Sequence, residues 1–416
     1  MLWFVVRTLS AGFALKVGSK AIFMDNQYLQ ELISEARQRD GGLILNLDNK
    51  PAVVVLTIDK YNALVGGLPA EEPVPKAAAS QIEQASPANP AAKQGKKILV
   101  TGGAGYIGSH VARKLLASGH QVVVLDNLST GKRENVPSGA VFYEGDLADM
   151  NFVRDVFASN QFEAVMHLAA SIEVEESVRQ PEKYLENNAI NTSKLLSVMH
   201  EFGVKKIVFS STCALYDPAG GKPLSEESPV SPGNPYGHSK FVAEKLIEYH
   251  SKYSGVAAIV FRYFNACGCD FDGLIKPTHA SHLIPNILEV ANGDKAQIQV
   301  NGSDYATPDG TCVRDFVHVL DIAQAHELGL KFLSQSAGFE VFNIGTGRGY
   351  SVLEMINATA EVLNRMIPME MGVRRAGDAD LLIADPRKAK TILGFEPTHS
   401  NLQTIIETAW KQFKQN

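Results

Sequence analysis

Short unbroken apolar runs alternate with stretches of helical periodicity along most of the chain. Ile98-Leu99-Val100, Gln121-Val122-Val123-Val124-Leu125, Val141-Phe142-Tyr143 and Lys206-Ile207-Val208-Phe209 read as strands. Between them come helix patterns: Val111, Leu115 and Leu116, and later Val242, Leu246 and Ile247. Strands alternating with helices predict an α/β protein with a doubly wound parallel sheet over residues 96–265. A smaller C-terminal domain is expected from 266 to 416, with segments 313–325 and 341–347 returning to the main sheet. The beginning of the chain reads differently. Residues 27–39 have an amphipathic helix pattern, 43–47 and 52–57 read as two strands joined across Asp48-Asn49-Lys50-Pro51, and Asp59 is placed to cap a final helix. Residues 68–95, rich in Ala, Pro, Glu and Gln, read as a flexible linker, which leaves 1–67 as a small α+β appendage.

The first candidate chemistry lies where strand turns into helix, at Thr101-Gly102-Gly103-Ala104-Gly105-Tyr106-Ile107-Gly108. Glycines there let a turn close tightly and bring backbone N–H groups against a pyrophosphate at a helix N-terminus. Gly103, Gly105 and Gly108 give GxGxxG; Gly102, Gly105 and Gly108 give GxxGxxG; a plain Gly-rich turn is the bland alternative. Asp126 ends the next apolar run, about 20 residues on, where a carboxylate accepts from the adenosine ribose hydroxyls of a Rossmann-like fold. That carboxylate favours NAD over NADP, although Lys132 and Arg133 follow a few residues later. Asp146, in Gly145-Asp146-Leu147, can face the adenine amino group or serve as a helix N-cap. Further along, Tyr236 and Lys240 sit four apart at a helix start, so both share a face. A nearby ammonium is expected to lower the tyrosine pKa from about 10 and make the phenolate a general base. Thr212, at the end of the strand that carries Ser210 and Ser211, is the hydroxyl partner expected at the reacting substrate oxygen; the Ser residues line the cofactor or simply end the strand.

From about Lys96 onward the chain resembles the extended short-chain dehydrogenase/reductase family, in its nucleotide-sugar 4-epimerase branch. The resemblance rests on TGGAGYIGSH (101–110), DNLSTG (126–131), GDL (145–147), HLAA (167–170), ENNAINT (186–192), SSTCALY (210–216), SPGNPYGHSK (231–240), FRYFNACG (261–268), SHLIPNIL (281–288), DYATPDGTCVRDFVHVLDIA (304–323), VFNIGTGRGYSV (341–352) and RRAGDADLLIADPRKA (374–389). It implies Tyr236 as catalytic base, Lys240 as its tuner and ribose ligand, and Thr212 at the sugar C4 oxygen. It implies NAD held by Gly102, Gly105, Tyr106, Ile107, Gly108, Asp126, Asn127, Asp146, Leu147, Leu168, Ala169, Ala170, Ser210 and Ser211 as well as Tyr236 and Lys240. A UDP-sugar would be held by Asn187, Asn265, Leu283, Arg314, Arg375, Asp378 and Leu382 together with Thr212 and Tyr236. The two arginines suit a diphosphate clamp closing from separate segments; Arg314 beside Asp315 as a merely local ion pair is the alternative. In related 4,6-dehydratases an Asp-Glu pair follows the threonine. Here Cys213 and Ala214 stand there, which disfavours dehydration. The implied activity is interconversion of UDP-glucose and UDP-galactose through a 4-keto stage. Rival readings are an epimerase of UDP-N-acetylglucosamine or UDP-glucuronate, and an NAD-binding regulatory protein, against which the intact Tyr236, Lys240 and Thr212 argue. Departures from the family pattern are Asp217, Asn301 near the expected uridine pocket, and 270–280, which lacks the usual acidic run.

Composition narrows the classes. With 416 residues, 45% hydrophobic, and net charge −6, the chain can bury a large core and has no basic excess for nucleic acid. No membrane-spanning run stands out. Cys213, Cys267, Cys269 and Cys312 lack zinc-ligand spacing, so no metal is expected and reduced thiols in a cytoplasmic setting are the reading. Residues 1–23 are apolar with Arg7, Lys16 and Lys20 but have no clear cleavage motif; a targeting segment and an upstream start, with Met24 the natural beginning, both stay open. The appendage weakly resembles the Phd/YefM-type antitoxin domain in Asn49-Lys50-Pro51-Ala52-Val53-Val54-Val55 and Tyr61. Without a basic cluster it reads as an oligomerising or inert element, and a homodimer is expected.

Overall fold

The computed structural model describes residues 95–217, 221–275, 282–375 and 378–415, together with four strands near the N-terminus. Chain contacts divide the molecule between Ser86 and Pro87. In the first unit β1 (Phe13–Val17) pairs antiparallel with β2 (Lys20–Met24), and β3 (Gly42–Leu47) with β4 (Lys50–Leu56). The second pair is the hairpin expected at 43–47 and 52–57. Its second strand starts earlier, at Lys50, because the ladder shifts register between Leu45 and Asn46, and Pro51, which has no N–H to donate, falls at that irregularity. The expected helices at 27–39 and after Asp59, and nearly all of the expected linker, lie outside the described residues.

In the second unit, β5 (Lys97–Thr101), β6 (Gln121–Asp126), β7 (Val141–Glu144), β8 (Ala164–His167), β9 (Lys206–Thr212), β10 (Ala257–Tyr263) and β14 (Phe339–Ile344) form one sheet in the order β14-β10-β9-β8-β5-β6-β7. Every neighbouring pair is parallel. The unbroken apolar runs follow from burial on both faces. Ile98 and Val100 face one core, with Val111 and Leu115 of the helix Tyr106–Ala117 and Ile322 and Leu330 of the helix Val319–Leu333. Leu99 and Val123 face the other, with Val153, Leu196 and Ile247. Strand order reverses between β5 and β8, which opens a crevice at their carboxyl ends, the position where open α/β sheets bind ligands.

A second sheet contains β11 (Asn265–Cys267), β13 (Val313–His318), β15 (Gly349–Ser351) and β17 (Leu381–Leu382), with β13 at its centre. This corrects one expectation. The strand at 313–318 does not return to the main sheet; only the helix after it packs there, while 341–347 does return, as β14 beside β10. Burial on both faces makes a central strand of either sheet look alike in sequence. Nearby, β12 (Ile298–Asn301) pairs parallel with β16 (Met369–Gly372), setting Asn301 opposite Gly372. The helices Leu283–Asn292, Val352–Leu363 and Leu402–Lys414 close a third apolar core around Ile287, Met355 and Ile405.

Candidate active site

At the carboxyl end of β5 the chain reverses through Gly102, whose φ of +72° favours glycine. A Cβ on Gly102 would lie 2.6 Å from the Ala169 backbone nitrogen, and one on Gly108 would lie 2.1 Å from the Gly102 carbonyl oxygen. Gly102 and Gly108 therefore let helix, strand and β8 loop come together, and Gly103 packs against Val124, where a Cβ would lie 2.7 Å from Cγ1. Gly105 is the N-cap of the following helix; no side chain caps that end and no acidic residue occupies its first turn. The leading N–H groups are left for an anion, which fits a dinucleotide pyrophosphate.

Asp126 ends β6 with its carboxylate fixed by the N–H groups of Ala104 at 3.0 Å and Leu128 at 2.9 Å. Burial raises its pKa against those two hydrogen bonds. Asn127 donates to Asp146 Oδ2 at 2.7 Å, and Asp146 Oδ1 accepts from Ala148 at 2.8 Å. The helix Met150–Ala158 is capped by Asp149, so Asp146 is not an N-cap. Leu168 donates to the Thr101 carbonyl at 3.1 Å and carries Ala169 and Ala170 along the same crevice.

The chemistry-bearing pair comes from the helix Pro235–Ser254, whose N-cap Asn234 accepts from Gly237 N at 2.9 Å. Tyr236 meets the Thr212 hydroxyl, and Thr212 Oγ1 accepts from Ala214 N at 3.1 Å. Lys240, 2% exposed, donates to the Ser210 carbonyl at 2.8 Å and lies over the Phe209 ring, 4.9 Å from its centroid. The expected lowering of the tyrosine pKa is not what the protein alone produces. Burial pushes Tyr236 up to about 12 despite the Thr212 hydrogen bond, and burial pulls Lys240 down to about 7. Tyr184, buried, sets its ring edge-on to Tyr236 with centroids 6.4 Å apart.

Opposite this pair, a π-turn, Leu185–Ile190, interrupts the helical run between Pro181–Tyr184 and Asn191–Glu201. Asn187 donates from there to Ser171 Oγ at 3.0 Å. Asn188, which sequence reading passed over, accepts from Ser171 N at 2.8 Å and donates to Ser239 Oγ at 2.9 Å, pinning the π-turn to the catalytic helix. From the second sheet come Asn265 on β11 and Arg314 on β13. Arg314 pairs with Asp378, which also accepts from Tyr305 at 3.0 Å. Asp315 is not its partner: that buried carboxylate accepts from the backbone N–H groups of Thr346, Gly347 and Ala384. Arg375 Nε and Nη2 donate to the Asn301 amide oxygen, each at 3.2 Å, when that amide is turned oxygen-inward.

One cavity of about 1460 Å³ collects Gly102, Tyr106, Asp126, Asp146, Ser210, Thr212, Tyr236 and Lys240 with Asn187, Asn265, Leu283, Arg314, Arg375 and Asp378. Gly105, Ile107, Gly108, Asn127, Leu147, Leu168, Ala169, Ala170 and Ser211 border it as well. Leu382 is the exception. It sits on β17 opposite Arg314 in register and packs with Tyr216, Leu224 and Phe264 behind the wall. Cys213, Cys312 and Tyr263, which sequence reading did not assign, also line the cavity; Tyr263 hydrogen-bonds the buried His326. Nothing in the spacing around them pointed to the site.

Comparison with known proteins adds independent weight. A profile of the NAD dependent epimerase/dehydratase family matches residues 98–345. The chain is 47% identical over 315 residues to a UDP-glucose 4-epimerase of Lacticaseibacillus casei, covering 75% of this chain and 95% of the relative. The crystal structure of UDP-glucose 4-epimerase from Brucella ovis in complex with NAD superposes with a TM-score of 0.74 at 41% identity, covering 76% of this chain and 98% of that one. The UDP-Glc/GlcNAc 4-epimerase from Campylobacter jejuni does so with a TM-score of 0.69 at 39% identity, covering 77% and 100%.

Proposed function

The chain belongs to the NAD dependent epimerase/dehydratase family, and from that premise we propose that it interconverts UDP-glucose and UDP-galactose by oxidation and re-reduction at C4. The observation that carries this reading is the meeting of Tyr236, Thr212 and Lys240 in the same cavity as the uncapped Gly-rich turn, with Cys213 and Ala214 where elimination would need carboxylates. Bound NAD supplies the hydride acceptor and donor. The fit is good: the helix N-terminus at Gly105 takes the pyrophosphate, Asp126 the adenosine ribose, and Asp146 the adenine edge.

The chain's own groups do the rest. Tyr236 takes the proton from the C4 hydroxyl as hydride leaves the same carbon, and returns it when hydride comes back on the other face. The Thr212 hydroxyl holds the C4 oxygen in line. The Lys240 ammonium, within one helical turn, favours the phenolate that burial disfavours. Arg375 and Arg314 hold the diphosphate, so the 4-keto sugar can turn over without leaving. Arg314 enters already paired with Asp378, whereas Arg375 faces a neutral amide and keeps its full charge for phosphate.

We also propose a homodimer. Val242, Tyr249 and Tyr253 make an exposed stripe along the helix Pro235–Ser254, next to exposed Val178, Leu185 and Ile190. The four unpaired cysteines suit a reducing cytoplasm. Turnover of a panel of UDP-sugars by the purified protein, without added cofactor, tests the main reading. UDP-glucose and UDP-galactose are expected to interconvert; turnover confined to UDP-N-acetylglucosamine or UDP-glucuronate would move the substrate assignment, and none on any UDP-sugar would end it.

A further inference from the structure

One buried charged cluster borders the catalytic helix without taking part in the chemistry above. Glu244 lies one turn beyond Lys240 and two beyond Tyr236, and is 2% exposed. Arg262 on β10 grips both its oxygens, Nε to Oε1 at 3.0 Å and Nη2 to Oε2 at 2.7 Å. Ser211 donates to Oε1 at 2.5 Å, and Arg262 Nη1 donates to Tyr216 Oη at 3.0 Å. Tyr216 passes its own proton donor to Asn343 Oδ1 at 2.6 Å. Such a forked pair is fully satisfied, yet burying it costs about as much as the pairing returns, and apolar pairs of similar volume often serve stability equally well. Its position suggests a use other than stability.

We propose that Glu244, gripped by Arg262, is a positioning residue that keeps Lys240 protonated, so that Tyr236, Lys240 and Glu244 lie along a single helix face. The proposal rests on Tyr236 as the base. Lys240 needs such help. Its near partners are a carbonyl and a ring face, and burial drives its pKa down while the Glu244 carboxylate raises it. The other groups facing it are neutral or of like sign. His167 of β8, hydrogen-bonded to Thr101 and Thr192, is held neutral because burial takes its pKa to about 3. Tyr236 and Tyr263 are neutral phenols with raised pKa values. With Glu244 uncharged, the Arg262 guanidinium that it holds loses its counter-charge, and repulsion adds to desolvation.

Two variants test this. Glu244→Gln removes the charge and keeps the shape; the double variant Glu244→Met with Arg262→Met removes the whole pair and covers the case in which an unpaired Arg262 unfolds the protein. The first readout is independent of turnover: 13Cε-lysine NMR titration, with the Lys240 signal identified by its loss in Lys240→Met. In the unsubstituted protein the signal should titrate near 7, well below the other lysines. In folded Glu244→Gln the midpoint should fall by about one pH unit, and in the double variant, which removes the Arg262 repulsion as well, by a smaller but resolvable amount. The second readout is the pH profile. The alkaline limb of kcat should move to lower pH by the same amount, with KM for the UDP-sugar changed less than twofold. Unmoved midpoints and limbs in a folded variant would reduce the pair to scaffolding and overturn the proposal. Full turnover in Tyr236→Phe would instead overturn the assignment of the base, which the NMR titration does not depend on.

Discussion

At Tyr236, burial and charge act on one phenol in opposite directions. Burial takes its pKa to about 12, so the base role proposed for Tyr236 depends at neutral pH on positive charge brought close: Lys240, and the nicotinamide once bound. Tyr236→Phe keeps the ring against Tyr184 and removes the proton acceptor, so turnover should fall by roughly 10²–10⁴-fold while UDP-sugar binding persists. Steady-state kinetics beside calorimetric binding would check it. A wholly different residue-scale effect is expected at Gly108, where any Cβ meets the Gly102 carbonyl oxygen. Gly108→Ala should purify with little or no NAD, measured by chromatography after denaturation, because the phosphate turn must open to admit a methyl group. Residue type and spacing made the Tyr236–Lys240 pair and the glycines legible from sequence. The direction of the tyrosine shift was not legible, because burial is set by β9, Tyr184 and the π-turn, which lie far away along the chain.

Among the elements, β5, β6, β7 and β9 were readable because each is a short apolar run ended by a glycine or a polar residue, whereas β8 and β10 were not singled out as strands. The expected return of 313–325 to the main sheet was the failure, since β13 pairs in the second sheet and partner choice leaves no mark on so buried a strand. The helix Met150–Ala158 settles the N-cap role that sequence alone left open for Asp146, because Asp149 fills it. Asp149 accepts from Asn151 N and Phe152 N, both at 3.0 Å, whereas Asp146 points to Asn127 at the cavity. Asp149→Ala should therefore cost about 0.5–2 kcal/mol of stability with kcat and cofactor content nearly unchanged. Asp146→Ala should do the reverse, weakening NAD retention with little change in melting temperature. Paired thermal melts and NAD assays on both variants would expose a swapped assignment at once.

For the molecule as a whole, four buried histidines set the acid limit of stability. Burial lowers His110 to about 4, and His167, His318 and His326 each to about 3. Their folded pKa values lie below the unfolded value of about 6.5, so below that pH the unfolded chain binds protons that the native state refuses. Their contribution is whole above about pH 6.5 and is lost as pH falls toward 3 to 4, each histidine adding a slope of at most about 1.4 kcal/mol per pH unit. Urea midpoints should drop steeply between pH 6 and 4.5, and a flat profile there would contradict the burial of these rings. A chain beginning near Gln94 should keep full turnover, because every residue assigned to the site follows it; light scattering on both lengths would show whether the first unit changes the oligomeric state. One further consequence follows from the way the two sheets are spliced. A single residue, Phe264, separates β10 from β11, and the chain comes back to the first sheet only at β14 before leaving again. The half proposed to grip the sugar nucleotide is thus no cassette. Exchanging everything from β11 onward would take β14 away from β10, its one neighbour in the parallel sheet, so point substitution along the cavity wall is the route to altered sugar preference that leaves the sheet whole.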